Sequence, residues 1–535
     1  MNPNRNIPFS FVTARTLKSW LDEAGEIALL DVREHGQYGE AHLFFGVNVP
    51  YSRLECEIGR LVPRKSVRVV VYDDGDGVAE QAAAALAREG YGDVHCLQGG
   101  APAWKQAGYS LFAGVNVPSK TFGELAEHAF ETPRIGAREL AERLARKDDL
   151  VVLDGRPFTE FAKMSIPGAT CCPNGELALR VHELVPSDRT TIVVNCAGRT
   201  RSIIGAQTLI NLGLPNPVMA LENGTQGWYL EDLALEHGAA RRHGQGIDRA
   251  ALNTLQARAD ALARRAGVAR ADAATVRQWL ADPSRTTMLC DVRTPEEYAQ
   301  GTLAGAQHTP GGQLIQATDQ YVAVQGARLV LVDGEGVRAP VVASWLVQMG
   351  WEAVVLEGGV QADLAAAPRP PAQALADAPP AVALAELGDA LAQGARLIDL
   401  RPSMQFRAGH IEGARWSIRP RLAALALAPQ DPVVLIAPDA GVAALAARTL
   451  RELGIGALRW HAGTPEQWRQ AGLPVVCTPQ EPADEQCIDF LFFVHDRHDG
   501  NKQAARQYLA WETNLVHQID PQERARFDFR LISNH

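Results

Sequence analysis

The stretch Cys196-Ala197-Gly198-Arg199-Thr200-Arg201 sets a thiol directly after the apolar run Thr191-Ile192-Val193-Val194 and ahead of a helix-like segment, 202–213. Only the thiolate is a nucleophile, and an ordinary thiol ionises near ~8.5. A cysteine whose following N–H groups converge at a helix N-terminus is shifted down, to ~3.5–7.5, because donors and dipole favour the anion. Residues Ala197 to Ser202 are expected to supply those N–H groups as an anion-binding nest. Arg199 and Arg201 add positive charge that would attract an anionic donor. The chemistry these residue types suit is covalent and ping-pong, with Cys196 as the attacking group and no metal or organic cofactor implied.

The elements that must position this loop recur four times. Leu30-Asp31-Val32-Arg33, Leu153-Asp154-Gly155-Arg156, Cys290-Asp291-Val292-Arg293 and Ile398-Asp399-Leu400-Arg401 each close an apolar run, and an aromatic residue stands seven past each Asp: Tyr38, Phe161, Tyr298 and Phe406. Forty-two residues separate Asp31 from Asp73, Asp154 from Cys196 and Asp291 from Asp333; the fourth copy reaches Ala437 after thirty-eight. Each copy then returns to a turn, as at Gln98-Gly99-Gly100, Glu222-Asn223-Gly224, Glu357-Gly358-Gly359 and His461-Ala462-Gly463. Strand-like and helix-like segments alternating at a fixed period predict tandem α/β modules with parallel sheets, whose functional loops lie at the strands' carboxyl ends. Asp154 and Arg156 are expected to brace their module rather than react.

The expected divisions are 1–118, 119–247 (the module with the thiol), 248–370 (opening on a helical linker), 371–481 and a tail, 482–535. With 535 residues, 46% hydrophobic, the chain can build several cores. Its net charge of −10, without a basic cluster, argues against nucleic-acid or anionic-membrane partners. No stretch approaches the ~20 apolar residues of a membrane span. The N-terminus lacks the apolar core of a secretory signal, and the eight cysteines form no C-x-x-C pair, so a reduced, cytoplasmic protein is expected.

The ordered set of Asp-x-Arg, His410-Ile411-Glu412-Gly413-Ala414, strand–Cys–loop–helix and Gly99-Gly100 followed by Trp104 resembles the rhodanese family of sulfurtransferases, over nearly the whole chain up to about Pro482. The resemblance implies an α/β fold of four tandem rhodanese-like modules, each a small, mostly parallel sheet flanked by helices, with a short α+β C-terminal tail. It implies transfer of sulfane sulfur from thiosulfate or a small persulfide, through a Cys196 persulfide, to a thiol or cyanide, with a protein acceptor as a further partner. In the family's Cys-x-x-Gly-x-Arg loop Arg199 takes the place of a glycine, and it is expected to help hold a sulfonate. Three alternatives stand beside this reading: a 3-mercaptopyruvate sulfurtransferase, a non-catalytic sulfur-carrier or scaffold protein, and a phosphatase or arsenate reductase-like enzyme. The phosphatase-type loops place their arginine six past the cysteine, whereas Arg201 is five past. Members preferring 3-mercaptopyruvate carry an arginine where Glu160 stands.

The other three loops hold Asp73, Asp333 and Ala437 at the thiol's position, and a carboxylate there would fill the anion cradle with the protein's own charge. Cys171 and Cys172 are read as packed residues, with a sulfur relay as the alternative. In the tail, the apolar run from Ile488 to Val494, the polar turn His495-Asp496-Arg497-His498-Asp499-Gly500-Asn501 and an amphipathic helix with Ala505, Tyr508, Leu509, Trp511 and Val516 are expected to follow in order. Packing of this tail over the Cys196 site is one of its expected roles.

Overall fold

Four runs, Ile27–Asp31, Leu150–Asp154, Thr287–Asp291 and Arg396–Asp399, end on the motif aspartate, and the residues just before it are consecutively apolar and buried. A strand apolar at consecutive positions must be covered on both faces, which is the condition of a parallel sheet between two helical layers. The computed structural model, which describes residues 9–244, 246–247, 249–365, 377–492, 501–529 and 531, has this arrangement in every module. Each motif strand pairs in parallel with the strand that leads to the loop: Arg68–Tyr72, Thr191–Asn195, Arg328–Val332 and Val433–Ile436. That strand pairs in parallel with the one before the glycine turn: Asp93–Leu97, Val218–Leu221, Glu352–Leu356 and Leu458–His461.

In the second module the order across the sheet is 134–135, 218–221, 191–195, 150–154 and 170–171, so the loop-bearing strand is central. Modules one and three repeat it. In module four the outer first strand shrinks to one bridge, Ala381 to Trp460, and the two-stranded pairing of His410–Ile411 with Val475–Val476 is antiparallel.

The Asp-x-Arg phrase acts as a local clamp in all four copies. Asp31, Asp154, Asp291 and Asp399 are fully buried, and each accepts from the arginine two residues on. Each arginine also donates to a carbonyl eight residues further along, at Ala41, Met164, Gly301 and Gly409. A charge pair this deeply buried is tolerated because its hydrogen bonds are satisfied, and removing one partner would strand the other.

The chain divides into two bodies, modules one and four in one, modules two and three with the helix Lys502–Gln518 in the other. In the first, Arg419 of module four is buried against the Glu55 carboxylate and the Tyr51 carbonyl of module one. In the second, backbones meet directly: a Cβ on Gly175 would sit 2.7 Å from Gly312 N. The linker Arg249–Arg265 is helical, as its spacing predicts, whereas the helix Val117–Phe130 runs across the expected 118/119 division.

The tail differs from its expectation. Its residues up to Leu491 pack on the first body, where Ile488 O accepts from Gly36 N–H and Leu491 meets Gly39. Among its described residues there are helices and no strand; the Ile488 carbonyl accepts from Gly36 N–H and Gln37 N–H, in the first turn of the helix His35–Glu40, rather than from a sheet edge. Phe493, Val494 and the polar turn from His495 to Gly500 lie outside the described residues.

Candidate active site

The strand Thr191–Asn195 delivers Cys196 to the carboxyl edge of the module-two sheet, and the helix Thr200–Asn211 begins four residues later. Asn195 anchors the strand's end by donating to Asp154 Oδ2 at 2.6 Å. Cys196 O accepts from Thr225 N–H at 2.8 Å, which ties the loop to the following turn. Gly224 makes that approach possible: its φ is +54°, and a side chain there would collide with Cys196 O. Gly100 and Gly359 hold the same relation to Asp73 O and Asp333 O.

The cradle's geometry is clearest where a carboxylate fills it. Asp73 accepts from the N–H groups of Gly75, Gly77 and Ala79 at 2.8, 3.0 and 2.9 Å. Asp333 accepts from those of Gly336, Val337 and Ala339 at 3.0, 2.9 and 3.0 Å. The corresponding positions around Cys196 are Gly198, Arg199, Thr200 and Ser202, inside the run 197–202 that the sequence proposes as a nest. Ala197 O accepts from Gln226 N–H at 3.1 Å, turning that residue's carbonyl away from the cradle.

Two expectations are overturned. The first concerns the thiol's charge. Cys196 is only 2% exposed, and burial pushes its pKa above the ordinary thiol range; Arg201 and the Ser202 hydroxyl and N–H pull it back, and Glu512 pushes it further up. Desolvation outweighs the loop's donors, opposite to the lowering that the sequence pattern leads one to expect. The second concerns Arg199. Its guanidinium is buried against Glu124, at 2.7 and 2.9 Å, and against Glu127, both on the helix Val117–Phe130, so it is not presented to a sulfonate. Its φ of −117° is ordinary for a side-chain residue, which is how arginine replaces the glycine without strain. Burial lifts Glu124 up to about 7 even against this partner.

Arg201 forms a bidentate pair with Glu160, 2.8 Å on both arms. The Ser202 hydroxyl donates to Arg199 O at 2.8 Å. The Thr200 hydroxyl donates to Glu512 Oε1 at 2.9 Å. Glu512 belongs to the helix Lys502–Gln518, which packs across Val117–Phe130 and beside Gly224–Leu230. Lys120, itself buried, lies 5.0 and 4.6 Å from the Tyr508 and Trp511 rings, a cation–π seat for that helix. The tail therefore does cover the Cys196 loop.

Glu512, Gln226 and Glu124 are the residues the sequence reading missed. Glu512 had a signal: it sits on the stripe 505, 508, 509, 512, 515, whose other members are apolar or aromatic and all buried. Cys171 and Cys172 are core residues, one at 3.5 Å from Arg156 O and pushed by burial to about 12, the other fully buried and raised well above the ordinary range. Among the described residues no group of three or more potential metal ligands occurs, and no helix is long and apolar enough to cross a membrane.

The description "Rhodanese-like domain" matches the sequence four times, over residues 13–107, 136–231, 272–366 and 383–471. A crystal structure of a thiosulfate sulfurtransferase from Pseudomonas aeruginosa is 42% identical, covers 97% of this chain and 99% of that one, and superposes with a TM-score of 0.88. The chain belongs to the rhodanese-like domain family. Its four rhodanese modules, like their order and spacing, are thereby established as tandem copies of one fold.

Single-module stretches also resemble curated proteins. A probable adenylyltransferase/sulfurtransferase, MoeZ of Mycobacterium tuberculosis, is 30% identical over 95 residues, 18% of this chain and 24% of that protein. A putative sulfur carrier protein, YrkF of Bacillus subtilis, is 29% identical over 103 residues, 19% of this chain and 54% of that protein. The rhodanese chain thus spans about a quarter and about half of these two relatives.

Proposed function

We propose that this rhodanese protein is a sulfurtransferase that carries sulfane sulfur on Cys196. The observation that supports this reading is the position of the cradle relative to the side chain. The Oδ atoms of Asp73 and Asp333 stand one bond beyond Cγ, the atom that Sγ replaces in a cysteine. The N–H groups of the filled cradles therefore point to where the outer sulfur of a persulfide, about 2 Å beyond Sγ, would lie in module two. Cys196 is the one cysteine at that position in the four loops.

With thiosulfate as donor, Sγ forms a bond to the outer sulfur, the sulfur–sulfur bond of thiosulfate breaks, and sulfite leaves with the electron pair. The thiol's proton ends on the persulfide. A thiol or cyanide then takes the outer sulfur and Cys196 leaves as the reduced group. Because Cys196 and Glu512 are both buried, the donor enters when the helix Lys502–Gln518 lifts from the loop. Asp154 and Arg156 brace the loop-bearing strand, and a reducing, cytoplasmic setting suits eight unpaired cysteines.

Intact-mass measurement after thiosulfate treatment tests the reading. The parent chain is expected to gain one sulfur and Cys196→Ser none. Sulfur retained by the variant, or phosphate released from an aryl phosphate without sulfite release from thiosulfate, would overturn it.

A further inference from the structure

Glu512 reaches Cys196's loop from outside the rhodanese module, and its two oxygens differ. Oε1 accepts from Thr200. Oε2 is buried without a hydrogen-bond partner, and a Cβ on Gly198 would sit 3.2 Å from it. The Gln226 amide, also buried and unpartnered at both its nitrogen and its oxygen, has Nε2 3.7 Å from the same point. Two unsatisfied polar side chains thus converge on Gly198, inside the Cys196 loop. Unpaired buried polar groups are rare and costly, and such a convergence is the mark of a ligand position.

The charges around this position are mostly negative. Arg199 is held by Glu124 and Glu127, and Arg201 by Glu160. Glu512 adds a fourth carboxylate against two guanidinium groups; it and Glu124 are buried, where charges are poorly screened, while the Glu160 side chain is 41% exposed. A dianion entering there meets repulsion that a donor of lower charge avoids. A hydropersulfide sulfur can also donate its hydrogen to Oε2 while accepting from Gln226 Nε2; thiosulfate has no hydrogen to offer.

We infer that Glu512 and Gln226 form a specificity subsite that favours an organic hydropersulfide of low charge over dianionic thiosulfate as the sulfur donor to Cys196. The inference rests on the Cys196 sulfurtransferase reading and names its donor class. In the step it favours, Sγ bonds to the outer sulfur of R–S–SH, the S–S bond of the donor breaks, and R–S leaves with the electron pair and takes the Cys196 proton. The outer sulfur keeps its own hydrogen.

The test is steady-state kinetics of the full chain with thiosulfate and with 2-hydroxyethyl hydropersulfide, alongside intact-mass detection of the Cys196 adduct. Glu512→Gln keeps the shape and the bond from Thr200 while removing the charge. The ratio of kcat/KM for the hydropersulfide to that for thiosulfate is expected to fall about ten-fold, mainly through a lower KM for thiosulfate. Glu512→Ala should move the ratio the same way and serves if the glutamine variant does not fold. A ratio unchanged in both variants, including the case where both donors speed up together because the helix has simply loosened, overturns the subsite. Absence of any adduct on Cys196 with either donor, in the parent and both variants, instead overturns the sulfurtransferase reading itself and the inference with it.

Discussion

Asp333→Asn probes whether the loops of this fold are anion cradles at all. Asp333 Oδ2 accepts from Val337 N–H and Ala339 N–H, at 2.9 and 3.0 Å, and Oδ1 from Gly336 N–H at 3.0 Å. The carboxylate is buried, so water cannot substitute for a lost acceptor. An asparagine retains one oxygen, which would best serve Val337 and Ala339. Its NH2 then faces the Gly336 N–H, donor against donor. Hydrogen bonds to a charged group contribute about 1.5–3 kcal/mol and neutral ones about 0.5–1.5, so the two retained bonds weaken by about 1 kcal/mol each. The abandoned N–H adds a further 1–3 kcal/mol, roughly, for a total of about 3–5 kcal/mol. Because the chain has several modules, a global unfolding curve would average this loss with the others. Hydrogen exchange read by mass spectrometry on the peptide spanning Asp333 to Ala339 isolates it, and protection there should drop by about two decades or more at neutral pH. A loss below about ten-fold would mean that the three N–H groups do not favour an anion. The same conclusion would then remove the main support for a persulfide cradle at Cys196.

Two further outcomes follow from the charges at the site. Since burial raises the Cys196 pKa, its thiolate fraction, and with it the rate of alkylation by iodoacetamide in the resting protein, should keep rising beyond the pH at which an ordinary thiol levels off; a plateau below pH ~8.5 would refute the upward shift. Arg199→Ala leaves Glu124 and Glu127 without their cation and should lower stability by about 3–5 kcal/mol, seen as an early thermal transition; a transition at the parent's temperature would refute the pair as a structural element of the site.

The repeat, the parallel sheets and the placement of Cys196 at a strand end were legible because each is written in local pattern: apolar runs, the Asp-x-Arg phrase, and a period that puts Cys196 in register with Asp73 and Asp333. The cradle was legible for the same reason, since a carboxylate in the thiol's place declares what the loop prefers. What escaped were properties of assembly. The bond from Thr200 to Glu512 joins residues 312 apart, and the Arg199–Glu124 pair joins residues 75 apart across two helices. Neither distance is encoded by a motif. The sign of the Cys196 shift escaped with them: the loop's donors and arginines argue for a lowered pKa, and burial, which no motif encodes, outweighs them, with Glu512 adding to the rise.

The arginine five past the loop position resolves further when modules two and three are set side by side. Arg201 grips Glu160, six residues beyond Asp154; Arg338 grips Glu297, six residues beyond Asp291. The same pair therefore occurs beside a loop that holds Asp333 in place of the thiol and cannot accept sulfur there. In module three the arginine is also wholly buried and reaches Glu176 of module two and its own Glu335, which makes it a tie between the modules. A geometry that survives without the chemistry belongs to the loop's architecture. Arg201 thus shares its carboxylate pairing with a loop that carries no thiol, and its charge beside Sγ lowers the thiol's pKa against the effect of burial. Its side chain keeps 13% exposure where that of Arg338, tied to Glu176 of module two, keeps none.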